Sequence, residues 1–359
     1  MNKPLDVLRK SPLFNLSLSS KELFHSNFLW WLGSNERTFP LFKQAMEKFV
    51  GKTLQWTFDA ICVEREKKHF DLCVKNKVDQ RALLILENKV KSIPTQKQLD
   101  GYCNDKLKAE NYVLLSLATE FPDKAVIKEE NIWKICNYAD LAKVLETIPD
   151  GLTPYERELI NDYRTFILSL HKLAQQWISE VTPDSPFITE RPDKVEECRL
   201  HDLYDKLRFS QLALMLQEQL SGTDVSVGMS YSNQTGILDV TIRYEDHRLM
   251  IQVQGNSYRH ACVWNDKERK ECDSLWKHIL KEDKVVRETN FLGKKINFGS
   301  DELFKEGVYP KKEKPYNAFV GKNNVFLYQS RQLRPNTTIG KLFENICNEV
   351  RNIGEKTVK

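Results

Sequence analysis

The residues of this chain best placed to do chemistry lie between Phe70 and Tyr102. Asp71 follows Phe70 at the head of Phe-Asp-Leu-Cys-Val, and the apolar run Ala82-Leu83-Leu84-Ile85-Leu86 ends in Glu87-Asn88-Lys89. Gln98 and Tyr102 stand four residues apart in the segment that follows. Two carboxylates suit Mg²⁺, a hard cation held by one or two carboxylates plus substrate phosphate. An amine two residues beyond the second acid can supply positive charge to a phosphate under attack, or help deprotonate the attacking water.

Strand geometry is needed to bring these groups together. Side chains alternate faces along a strand, so Leu83, Ile85, Glu87 and Lys89 are expected on one side of the third run and Leu84 and Leu86 on the other. A nearly continuous apolar run with charge only at its end reads as a strand buried on both faces whose C-terminal end opens at a site. Ile61 to Glu64 and Phe70 to Val74 read as two earlier strands, and Lys75 to Arg81 as a charged turn. The simplest topology is an antiparallel meander, which sets Asp71 beside Glu87. Gln98 and Tyr102 then share one face of a following helix.

Glu-x-Lys by itself carries little information, because Glu66-Lys67-Lys68 and Glu282-Asp283-Lys284 also occur without ending an apolar strand. The ordered set is what is informative. Taken singly, Asp71 reads as a strand-end cap, Glu87 with Lys89 as an ion pair of small worth, and Gln98 with Tyr102 as an ordinary helix face. As a set, residues 64 to 102 resemble the PD-(D/E)XK nuclease superfamily, and Gln98-Leu99-Asp100-Gly101-Tyr102 resembles the Gln-hydrophobic-x-x-Tyr element of its RecB-like branch. Lys21 to Leu32 is similar to the first helix of a bacterial subfamily, with Glu22 at the position of a helix glutamate, and Glu64 falls at an acidic position of the first strand. The family's proline before the aspartate is replaced by Phe70.

The resemblance implies an α/β, restriction-endonuclease-like αβββαβ core with a mixed sheet. It also implies Mg²⁺- or Mn²⁺-dependent hydrolysis of nucleic acid, DNA more often than RNA. By position, Asp71 and Glu87 would bind metal with Glu22 and Glu64 contributing, Lys89 would be catalytic, and Gln98 and Tyr102 would orient the site or touch the backbone. Restriction, repair and phage defence are the settings such relatives suggest.

A length of 359 residues favours two domains over one core. Hydrophobic residues at 41% and charged residues at 29% belong to a water-soluble globular chain. No apolar stretch reaches the roughly 20 residues that span a bilayer, and the N-terminal residues do not read as a secretory signal, so a cytoplasmic location is expected. The eight cysteines form no Cys-x-x-Cys pair, which speaks against zinc and iron–sulfur sites. A net charge of +4, from 54 basic and 50 acidic residues, does not by itself announce a nucleic-acid partner.

Asn111 to Leu117 and Ile132 to Tyr138 read as further strands, Leu141 to Ile148 as a helix, and Tyr155 to Ile178 as a long amphipathic helix. These assign 1–182 to a nuclease-like domain. The proline-punctuated stretch 183–192 reads as a linker and 193–359 as a C-terminal α+β domain for recognition, a partner or a homodimer contact. That domain would hold a helix from about Val195 to Leu220, and then an antiparallel meander whose Asp239 and Gln252-Val253-Gln254 echo the first half without its charge. Gln252, Gln254, Asn256, Tyr258 and Arg259 form a polar cluster around Gly255, suited to bases and phosphates or to satisfying loop backbone. Residues 265 to 322 interleave basic and aromatic side chains, and a strand at 324–328 and a helix at 338–353 close the chain.

No phosphate-binding Gly-rich loop, Gly-x-Ser-x-Gly elbow or His-Glu-x-x-His helix is present. A metal-dependent nuclease is therefore the leading expectation. A nuclease-fold binding or scaffold protein without turnover is the alternative.

Overall fold

The computed structural model describes residues 3–17, 21–67, 70–90, 99, 108–117, 132–187, 195, 198–221, 223–232, 235–244, 247–265, 301–305, 317–320 and 324–357. The chain divides into two compact units, Met1–Ile178 with Arg191–Leu207, and Ser179–Glu190 with Arg208–Lys359. The units interleave, so residues beyond the proline-rich stretch return to the first.

In the first unit, α1 (Lys3–Lys10), α2 (Pro12–Ser17), α3 (Lys21–Ser34) and α4 (Phe39–Val50) precede the sheet. The strands are β1 (Ile61–Lys67), β2 (Phe70–Asn76), β3 (Ala82–Lys89), β4 (Tyr112–Ser116) and β5 (Trp133–Asn137), hydrogen-bonded in sequence order. The β1–β2–β3 part is the expected antiparallel meander, while β3, β4 and β5 run parallel. Two helices follow, α5 (Tyr138–Val144) and α6 (Pro154–Ser179). Asn137 caps α5 by accepting from the Asp140 N–H, which starts that helix earlier than its apolar pattern suggests.

The helix layer exists because one sheet face is apolar. Leu72, Val74, Leu84, Leu86, Val113 and Leu115 share a core with α3, α4 and α6. Tight approach is bought at Gly33, where a Cβ would stand 2.9 Å from Val63 Cγ2 and 3.0 Å from Phe42 Cδ1. Helix α4 stops at Gly51, whose φ of 77° lets its N–H close on the Glu47 carbonyl.

One expected side-chain direction is wrong. Leu83 packs with Leu84 and Leu86 rather than with Ile85 and Glu87. The register shifts between Val74 and Lys75, where Lys75 pairs with Ala82 instead of Leu83, and the extra residue turns Leu83 toward the helices. The charged stretch also begins later than expected, since β2 continues through Lys75 to Asn76.

In the second unit the strands are β6 (Val225–Ser232), β7 (Thr235–Tyr244), β8 (His247–Gln254), β9 (Ser257–Asn265), β10 (Asn317–Val320) and β11 (Asn324–Gln332), in the order β10-β11-β9-β8-β7-β6 and antiparallel where they pair. The helix expected from Val195 begins as a continuous element at His201, giving α7 (His201–Gln219), and α8 (Ile339–Thr357) ends the described chain. Leu212, Leu216, Leu342, Ile346 and Val350 from these helices pack on Leu238, Val240, Ile251 and Val253. The segment after Gly255, expected as a polar loop, is strand β9. Because β8 turns back into β9 as a hairpin rather than crossing over to a parallel strand, the echo of the first unit is not a repeat of its core.

Candidate active site

The sheet face away from the helix layer carries the acids. Leu72 pairs with Leu86, so Asp71 and Glu87 stand across from each other on neighbouring strands. Glu64 pairs with Cys73, one pleat away on β1. Lys75 lies two residues further along β2, and Ile85, Glu87 and Lys89 follow on β3. Cys73, Ile85, Tyr112 and Leu114 form an apolar cluster on this face, joined by Leu99.

Contacts fix the charged groups. Lys89 Nζ lies 2.6 Å from Glu87 Oε1, and both side chains are below one-tenth exposed. The Asn88 N–H donates to Asp71 Oδ2 at 2.6 Å. Lys75 Nζ lies 2.6 Å from Glu64 Oε2. Sequence reasoning missed Lys75, although the alternation that links Asp71 to Cys73 also reaches it.

Asn88, the residue inside Glu-x-Lys, points the other way. Its side chain enters the helix layer, where Tyr138 donates its hydroxyl to Asn88 Oδ1 and Asn88 Nδ2 donates to Ser26 Oγ at 3.4 Å. Next to Ser26, the buried His25 shares a 2.9 Å hydrogen bond between Nδ1 and the Tyr163 hydroxyl. Burial pulls the His25 imidazole down to about 3, so it is neutral near pH 7. Asn88, Ser26, His25, Tyr138 and Tyr163 are thus polar groups within an aromatic core that ties α3, α5 and α6 to the strand bearing Glu87 and Lys89. A polar residue on the apolar face of β3 was the signal for this tie.

Of the other expected site residues, Glu22 lies on α3 with its side chain outside the described residues, and Gln98 and Tyr102 lie wholly outside them. Glu64 is on the site face but is engaged by Lys75.

Residues 13–163 match the family model of the PD-(D/E)XK nuclease superfamily. This part of the chain belongs to that superfamily. No curated protein matches the chain, and no solved structure does. The five-stranded mixed sheet with its helix layer is the α/β architecture of the PD-(D/E)XK domain, and the matched region ends within α6. No described helix is long and apolar enough to cross a membrane.

The donor set of the PD-(D/E)XK domain fits a hard divalent cation. Among the described residues no third His, Cys, Asp or Glu completes a metal-holding group with Asp71 and Glu87. Two carboxylates fall short of the four-ligand set of a structural zinc site, but they match a cation that keeps waters and takes phosphate oxygens. A carboxylate has about four lone-pair positions, so one accepted hydrogen bond leaves ligating capacity. Charge argues the same way. Among the described residues of this face, Glu64, Asp71 and Glu87 outnumber Lys75 and Lys89, and such an excess of carboxylates repels a phosphodiester until positive charge is added.

Proposed function

We propose that this protein is a metal-dependent nuclease whose PD-(D/E)XK domain hydrolyses phosphodiester bonds of nucleic acid, DNA in the first instance, with Mg²⁺ or Mn²⁺. The observation that carries the reading is the convergence of Asp71, Glu87 and Lys89 on one sheet face within the family-matched region.

Asp71 and Glu87 would hold the cation, which supplies positive charge to the phosphate oxygens and acidifies water. The remaining work falls to the chain. The Asn88 N–H fixes the Asp71 carboxylate, and Glu87 holds the Lys89 ammonium close to the acid pair. Lys89 then meets the extra negative charge that builds on the phosphate during attack, in a site whose apolar floor of Cys73, Ile85 and Leu114 strengthens that interaction. Glu64 and Glu22 act at longer range through water, and Gln98 and Tyr102 orient the site or contact the backbone in the manner of the RecB-like branch. Defence against phage, restriction or repair in the cytoplasm is the setting this activity suits.

The test is cleavage of single- and double-stranded DNA and RNA by the purified protein with Mg²⁺ or Mn²⁺ and with chelator. Metal-dependent cleavage by the wild type, lost in Asp71→Ala and in Lys89→Ala, supports the reading. Equal residual cleavage by all three proteins overturns it.

A further inference from the structure

Of the two strands that end the six-stranded sheet of the second unit, β10 has four residues and β6 has eight. The outer side of an end strand is a row of unpaired N–H and C=O groups, which proteins blunt with charge, proline or a bulge. In the first unit the end strand β1 is blunted in this way by Glu64, Arg65, Glu66 and Lys67. Strand β6 reads Val-Ser-Val-Gly-Met-Ser-Tyr-Ser, with no charge and no proline, and its register with β7 runs without a shift.

The register shows which backbone groups lie on the outer side. The Asp224 carbonyl accepts from the Arg243 N–H, so by alternation Ser226, Gly228, Ser230 and Ser232 bond to β7. Val225, Val227, Met229 and Tyr231 turn their N–H and C=O groups outward. Among the described residues, one contact covers this row: Gln217 of α7 donates Nε2 to the Val227 carbonyl at 3.2 Å. The side chains of Val225, Val227 and Met229 are half-buried at the rim of the helix-packed core, and those of Ser226 and Ser230 are exposed on the other face.

Gly228 lies midway between the four outward residues. Glycine inside a strand gives up side-chain packing and marks a close approach of another backbone. Its own chain supplies no such approach, since a Cβ at Gly228 would meet nothing within 4 Å.

We infer that two copies of this protein pair through β6, antiparallel about a two-fold axis at Gly228, so that their sheets join into one. In this register Val225 meets Tyr231 of the second copy and Val227 meets Met229, and all four outward residues find partners. A slip in either direction leaves some of them unpaired. The two Gly228 residues face each other at a non-hydrogen-bonded position, where Cα atoms approach to about 4.5 Å. A two-fold axis sets each strand against itself, and like charges directly opposite are destabilising, so the absence of charge in β6 suits its own copy as occupant. The contact is isologous and closes at two subunits. Nothing in it draws on the nuclease reading.

The experiment is sedimentation velocity of the full chain over roughly 1–100 µM, where a small interface of one strand edge should show a reversible monomer–dimer equilibrium. Ser226 and Ser230 oppose each other across the axis. Ser226→Lys with Ser230→Lys therefore sets like charges against each other in both pairs, whereas Ser226→Lys with Ser230→Glu sets opposite charges there with similar bulk. The like-charge variant should dissociate with a constant about tenfold or more above that of the opposite-charge variant, and the gap should narrow at high salt. In wild type, hydrogen exchange of the Val225, Val227, Met229 and Tyr231 amides should slow as protein concentration rises.

A chain that is monomeric throughout, a dimer equally stable in both variants, or protection of those amides that does not depend on concentration overturns the inference. Should the substitutions upset folding, as judged by melting curves, the wild-type exchange carries the test alone.

Discussion

Tyr138 donates its hydroxyl to Asn88 Oδ1, so the first residue of α5 is bonded to the centre of the Glu-x-Lys triplet. Both are buried, and the bond runs on the face opposite to the one that Glu87 and Lys89 serve. A strand end whose x residue is anchored in the helix layer cannot rotate, and its two neighbours are aimed as a consequence. Tyr138→Phe removes one buried partner of Asn88 and should cost about 1–2 kcal/mol of stability. It should also lower cleavage with little change in KM, because the loss is of aim rather than of substrate contact. Denaturant melts and steady-state kinetics on the same preparation check both.

The Lys75–Glu64 ion pair separates the acids of the site into two classes. Asp71→Ala and Glu87→Ala should each weaken Mn²⁺ binding more than tenfold in calorimetry, because each removes one of the two carboxylates that, among the described residues, face each other across β2 and β3. Glu64→Gln should weaken it less than threefold, since Glu64 stands on β1, one pleat away from the facing Asp71 and Glu87, and is engaged there by Lys75.

His25 should make the PD-(D/E)XK domain sensitive to mild acid. Burial holds its folded-state imidazole down at about 3, while in the unfolded chain it takes a proton near 6.5. The unfolded state therefore binds more protons between those values. Stability should fall from pH 6.5 toward pH 3, at up to roughly 1.4 kcal/mol per pH unit. In His25→Phe this part of the pH dependence of the melting temperature should disappear, whatever the variant's baseline stability.

Glu156 acts over a lower range. Hydrogen bonds from Arg37, at 2.7 Å from Nη2 and 2.9 Å from Nε, and then from the Thr153 N–H hold its carboxyl down at about 2. Its lowered folded-state value stabilises the domain above the ordinary carboxylate range near 4.3, and the benefit is lost as pH falls toward 2. Wild type should thus melt above Glu156→Gln at pH 6, with the gap closing between about pH 4.5 and 2.5. A gap independent of pH would mean that packing, not charge, holds this corner.

Much of the site was legible because strands impose a period of two. Asp71, Cys73 and Lys75, or Ile85, Glu87 and Lys89, share a face by counting alone, and the meander that opposes Asp71 to Glu87 follows from short turns. Leu83 was not legible, because a one-residue irregularity at Val74/Lys75 costs the sequence nothing visible and reverses a side chain. The role of Asn88 was hidden for a different reason. A polar residue in a buried strand declares a need for partners, but Ser26 and Tyr138, 62 residues before and 50 after, are supplied by distant helices. In the second unit, the polar residues around Gly255 looked like one cluster until the β8–β9 hairpin placed Gln252 and Arg259 on one face and Tyr258 on the other.

Local order along the chain was enough to determine the strand meander, the long helix α6 and the order of acid, acid and lysine, because alternation and helical spacing are written into neighbouring residues. Tertiary structure decided which acids stand across from each other on neighbouring strands, which residue anchors the Glu-x-Lys strand, and which of the polar residues near Gly255 share a sheet face. Those outcomes depend on contacts between residues tens of positions apart, whose energies are set by packing and burial that no local pattern encodes.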